Sequence, residues 1–89
     1  MSLTESQRNQ IASYKIQIEG YRKDLHRMRE DKKSKSEYYA SLIKNTKDPN
    51  SKRSYRQSKI SAINSIVNQM ESKKREIERV KDNIKSIRR

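Results

Sequence analysis

Apolar residues recur along the first half of the chain at alternating steps of three and four. Ile11, Tyr14, Ile18, Tyr21, Leu25 and Met28 form an a/d heptad seam without an error. The same register then passes through Lys32 and Lys35 before it recovers at Tyr39 and Leu42. The second half repeats the behaviour with Ile63, Ile66 and Met70, a polar Lys73, and then Ile77, Val80, Ile84 and Ile87. Two long helices and an all-α fold are predicted.

Punctuation residues locate the helix ends. Ser2 with Glu5 has the S-x-x-E form of a capping box, which predicts a first helix over about 3–44. The single proline, Pro49, follows Asp48. Asp accepts backbone N–H bonds at an N-cap, and Pro at the next position loses no hydrogen bond. A second helix is therefore expected over about 49–87, with the turn near 44–49 and its centre at 45–48. Asn45, which tolerates a left-handed conformation, is the expected C-cap. A continuous helix through Pro49 is disfavoured by about 3 kcal/mol.

Antiparallel helices pair positions whose numbers sum to a constant, and here a sum of 98 pairs seam with seam. It sets Ile11 against Ile87, Tyr14 against Ile84, Ile18 against Val80, Tyr21 against Ile77 and Met28 against Met70. It also sets Lys32 against Ile66, Lys35 against Ile63 and Lys73 against Leu25, so each lysine stem can lie along an apolar neighbour. The mirror point falls at Pro49. The expected architecture is one antiparallel coiled-coil hairpin spanning 1–89, about 55–60 Å long at 1.5 Å per residue. A parallel homodimer of extended helices is the rival arrangement.

Composition narrows the function classes. The 89 residues are 29% hydrophobic and 38% charged, values that a disordered chain also shows; the heptad order argues against disorder. One Gly and one Pro nearly exclude a turn-rich β fold. Without cysteine there is no disulfide framework, thiolate zinc site or cysteine nucleophile. No run approaches the roughly 18 apolar residues of a membrane span, and no signal peptide is read, so a cytoplasmic chain is expected. His26, the only histidine, lies on the polar side of the first helix. The carboxylates are dispersed, and neither H-E-x-x-H nor a P-loop is present. Two helices also offer no water-excluding pocket. No enzyme activity, metal or cofactor is expected.

The net charge of +12 is uneven along the chain: zero over 1–21, +3 over 22–37, +5 over 38–70 and +4 over 71–89. Lys44, Lys47, Lys52, Arg53, Arg56 and Lys59 near the turn have only Asp48 against them, with Tyr38, Tyr39 and Tyr55 beside them. Such a basic, aromatic end suits nucleic acid, as a basic coiled-coil nucleic-acid-binding protein. Equally, Tyr39 closes the seam and the lysines keep a thin rod in solution. Elsewhere Glu19–Lys23, Asp31–Lys35 and Glu71–Arg75 are i,i+4 pairs in the favourable order.

Some apolar and small residues lie outside the seam. Ala12, Ser13, Ile16 and Gly20 share the opposite side of the first helix, and Ile60 and Val67 widen the stripe of the second. Gly costs about 1 kcal/mol relative to Ala inside a helix, so a close approach of another backbone would explain Gly20. These six are the candidate partner-binding residues, for helices of another chain or for self-association.

The Ile-x-x-Tyr-x-x-x-Ile seam and lysine-rich middle of Ile11 to Leu42, set in a hairpin of this length, resemble the small WXG100-like proteins of Gram-positive type VII secretion. They are still more similar to the helical partners of LXG-domain toxins. The resemblance implies a targeting chaperone that binds a toxin's N-terminal helices or another small hairpin protein, and that is exported with its partner. Ser54-Tyr55-Arg56 stands where a W-x-G motif would be, and no Tyr-x-x-x-Asp/Glu follows the second helix. The resemblance therefore also implies that another partner supplies the export signal.

Overall fold

The computed structural model describes residues 2–89, which form two helices, α1 (Glu5–Asn45) and α2 (Pro49–Arg88). They fold back on each other as an antiparallel hairpin measuring 69 × 15 × 12 Å. The non-helical residues at each end extend the rod beyond the length of its helices.

Helix α1 starts later than the Ser2 signal suggested. Thr4 is the N-cap, its Oγ1 accepting from Gln7 N–H at 3.1 Å while Thr4 N–H donates to Gln7 Oε1 at 2.9 Å. Gln completes a capping box as well as Glu does, and Thr4-x-x-Gln7 displaces Ser2-x-x-Glu5. At the other end no residue takes a left-handed conformation. Thr46 rather than Asn45 caps the helix, in extended backbone, with its hydroxyl donating to the Leu42 carbonyl at 2.6 Å. Asp48 caps α2: Oδ1 accepts from Asn50 N–H at 3.3 Å, Oδ2 accepts the Ser51 hydroxyl at 2.9 Å, and Pro49 opens the first turn.

The core is one row of side chains between the helices. Ile11, Ile18 and Leu25 from α1 are buried against Ile66, Met70, Ile77, Val80 and Ile84 from α2. Leu3, Tyr14, Tyr21, Met28 and Ile87 pack half-buried around them. Leu3 lies before the helix and so outside any heptad count. The cross-helix ion pair Lys73–Asp24, at 3.7 Å, joins residues whose numbers sum to 97, within one residue of the expected register.

The core stops short of the turn. Between Leu25 and Ile66 no residue is buried, and Tyr39, Leu42 and Ile63 are only half-buried. Lys32 and Lys35, expected opposite Ile66 and Ile63, interrupt the covered row. Both are exposed, and Lys35 turns to Asp31 on its own helix at 3.9 Å. Ser36 and then Ile43 are half-buried instead. The physical reason is the mismatch between 3.6 residues per turn and a 3.5-residue repeat, which rotates a straight helix by about 20° per heptad. With no apolar anchor at 32 or 35, Ser36, eleven residues beyond Leu25, is half-covered before the original row resumes at Tyr39 and Leu42. Of the other expected pairs, Glu71 meets Lys74 at 3.5 Å rather than Arg75, and Glu19–Lys23 makes no ion pair among the described residues.

Candidate functional site

With the helices antiparallel, the e positions of one flank the e positions of the other, and g flanks g. The two sides of the rod then differ in charge. On α1 the e row reads Lys15, Arg22, Arg29, Ser36, Ile43, and on α2 it reads Arg53, Ile60, Val67, Lys74, Lys81, Arg88. That side carries seven cations and no acid. The g rows read Gln10, Gln17, Asp24, Asp31, Tyr38, Asn45 and Tyr55, Ala62, Gln69, Glu76, Asn83, with three acids and no cation.

Local ion pairs sharpen the contrast. Asp24 holds Arg27 at 2.6 Å and Lys73 at 3.7 Å, and Glu76 holds Lys73 at 3.6 Å, so the acids of the g side are neutralised on the spot. Of the e-side cations, Lys74 and Lys81 meet Glu71 and Glu78 on their own helix. Lys15, Arg22, Arg29, Arg53 and Arg88 have no ion-pair partner among the described residues.

Shallow hollows lie on both sides of the rod, one on the g side between Asp24, Arg27, Met28 and Asp31 and three on the e side. Near the chain ends a hollow lies between Lys15, Ile18, Glu19 and Arg22 of α1 and Lys81, Ile84 and Arg88 of α2. A second hollow, at mid-length, is lined by Arg29, Lys32, Lys33, Ser36, Glu37 and Met70. A third, near the turn, has Ile43 on one wall and Arg56, Lys59, Ile60 and Ile63 on the other. All three lie along the e side, a shallow groove whose floor is apolar and whose rims are mainly cationic.

The six candidate partner-binding residues do not form one surface. Ala12, Ser13, Ile16 and Gly20 are exposed on the outer face of α1, where Ile16 is 73% accessible. A Cβ built on Gly20 meets nothing within 4 Å. Ile60, 53% accessible, and the half-buried Val67 belong instead to the groove side of α2. The candidate basic patch is real as a cluster in sequence but spread around the tip. Lys44, Lys47, Arg53 and Arg56 are exposed, Lys52 and Lys59 half-buried, and none makes an ion pair among the described residues. Asp48 gives its carboxylate to the cap of α2. Tyr38 is 61% accessible and sets its ring edge-to-face with Tyr39, centroids 5.2 Å apart, while Tyr55 is half-buried.

His26 is exposed on α1. No group of three or more His, Cys, Asp or Glu side chains among the described residues is placed to hold a metal ion. No described helix is long and apolar enough to cross a membrane. Ile43 and the facial segregation of charge are the functional features that linear charge counting misses. Both become visible once e is placed beside e by the antiparallel turn. The chain matches no protein-family model, and no curated protein or solved structure is significantly similar to it.

Proposed function

We propose that the hairpin is a non-enzymatic adaptor that binds helices of a partner protein. One observation carries this reading: from Leu25 to Ile66 the seam is not closed by the two helices, leaving Tyr39, Leu42, Ile43 and Ile63 half-covered and Ile60 exposed. Two thin helices bury little on their own, and a third helix laid over this stretch would complete a core that the hairpin leaves open. The resemblance of the Ile11–Leu42 seam to the helical partners of LXG-domain toxins gives the proposal its sharpest form. In that form the hairpin is a targeting chaperone for a toxin's helical N-terminal domain in type VII secretion. Co-expression with the helical N-terminal domain of an LXG-type toxin is the test. A stable complex on gel filtration that survives about 0.5 M salt, and that Ile60→Glu or Val67→Glu disrupts, is expected. A hairpin that stays monomeric beside that domain refutes the toxin-partner role.

A second reading is favoured by the tip. Six cations without ion-pair partners, next to the exposed Tyr38, suit a nucleic-acid backbone. Salt separates the two. Phosphate contacts lose affinity steeply between low and moderate salt, while an apolar helix interface does not.

A further inference from the structure

Resting on the helix-binding reading, we propose that the e-side groove is the docking site and that its occupant is an acidic amphipathic helix of a partner protein. The groove has two properties at once. Its floor is apolar at each level: Ile18 and Ile84 near the chain ends, Met70 at mid-length, and Ile43, Ile60 and Ile63 near the turn. Its rims are mainly cationic: the two flanking e rows hold no acid, and of the residues lining its three hollows only Glu19 and Glu37 are acidic. A helix that presents apolar residues every three to four positions would fill the floor. Carboxylates flanking that stripe would meet Lys15, Arg22 and Arg29 on one rim and Lys81 and Arg88 on the other. The rim residues recur every seven positions, about 10.5 Å of helix rise, which is the repeat that a partner helix also offers.

The charge balance fixes the side as well as the partner. On the g side Asp24, Asp31 and Glu76 already hold Arg27, Lys35 and Lys73 in ion pairs, and neither g row offers a free cation to an acidic helix, so the e side is the face that accepts it. A nucleic-acid strand suits the groove less well. Phosphates would match the rims, but no aromatic side chain lines these three hollows to stack on a base, and the isoleucine floor would face sugar and phosphate.

The test uses the full chain and two labelled helical peptides of four heptads, with Leu at a and d. One carries Glu at e and g; its twin carries Gln there. Fluorescence anisotropy at about 0.15 M salt reads affinity. The acidic peptide should bind roughly tenfold tighter than the twin. Combining Arg22→Glu with Arg29→Glu should abolish that preference. Lys23→Glu with Arg79→Glu, an equal change of net charge on outward faces, should alter it by less than about twofold. Ile60→Glu should weaken both peptides by about tenfold or more. Circular dichroism checks that each exposed substitution leaves the helices formed. Equal affinity for the two peptides would overturn the acidic preference and leave helix binding standing, whereas binding of neither would overturn both. A duplex DNA oligonucleotide bound more tightly than the acidic peptide, and lost with the same Arg22/Arg29 reversal, would overturn the proposal in favour of nucleic acid.

Discussion

Lys73 of α2 lies over the ring of Tyr21 of α1, its ammonium 4.9 Å from the ring centroid. The same nitrogen is within 4.0 Å of carboxylate oxygens of Asp24 and Glu76, and only 22% of the side chain is accessible. A lysine at a d position is thus held by an aromatic face from one side and by two carboxylates from the other. Because Tyr21 and Asp24 belong to the opposite helix, the contact also ties the register of the hairpin. A double-mutant cycle of Tyr21→Leu and Lys73→Met should give a coupling energy of roughly 0.5–1 kcal/mol. Coupling indistinguishable from zero in urea unfolding would show that the stacked geometry contributes nothing.

Stability should run in the opposite direction to the covalent connection. The turn joins the helices, yet no residue from 26 to 65 is buried, and the buried residues all lie beyond that stretch, toward the termini. Leu25→Ala and Ile77→Ala should therefore cost about 2–4 kcal/mol each, enough to unfold much of a marginal hairpin. Leu42→Ala, at a half-buried site, should cost about 1 kcal/mol or less. Hydrogen exchange reads the same gradient without mutation: amides of 18–25 and 70–84 should exchange slowest, and those of 32–60 faster. Uniform protection along both helices would contradict it.

The heptad pattern made most of this fold legible, because a narrow seam is the only use to which so few apolar residues can be put. Asp48-Pro49 marked the reversal for an equally local reason, the matching of a cap acceptor with a residue that lacks an N–H. The pattern was blind where helix geometry, not residue type, decides. Nothing at Lys32 or Lys35 reveals that Ser36 will be half-covered. Thr4 outcompetes Ser2 because of where the first turn closes. For the candidate site, charge counted along the chain points to the tip, and charge counted around the helices points to one side. The second count requires knowing that e meets e, which the sense of folding supplies.

The cap of α2 offers a local test of how the turn is held. Asp48 satisfies the Asn50 N–H and the Ser51 hydroxyl at the start of a helix that has no other acid in its first turn. Asp48→Ala should lower stability by about 1 kcal/mol, and Asp48→Asn by less, since Asn retains an acceptor. Thermal melts of the three proteins should rank wild type, Asn, Ala. Equal melting for Asp and Ala would mean that Pro49 alone sets the helix start.

Gly20 separates folding from partner binding in one substitution. It sits inside α1 with helical backbone, so no left-handed conformation demands glycine there. A methyl group at this position points into open space. Gly20→Ala removes backbone entropy from the unfolded chain and should stabilise the free hairpin by roughly 0.5–1 kcal/mol. If a partner helix uses the outer face of Ala12, Ser13, Ile16 and Gly20, the same methyl would hold that backbone away and weaken the complex while the hairpin itself grows more stable. The groove proposal expects the other result, because that face lies away from the e side. Gly20→Ala should then raise the melting temperature and leave affinity for a helical partner within about twofold. A variant that is more stable but binds at least tenfold more weakly would move the interface to the outer face of α1.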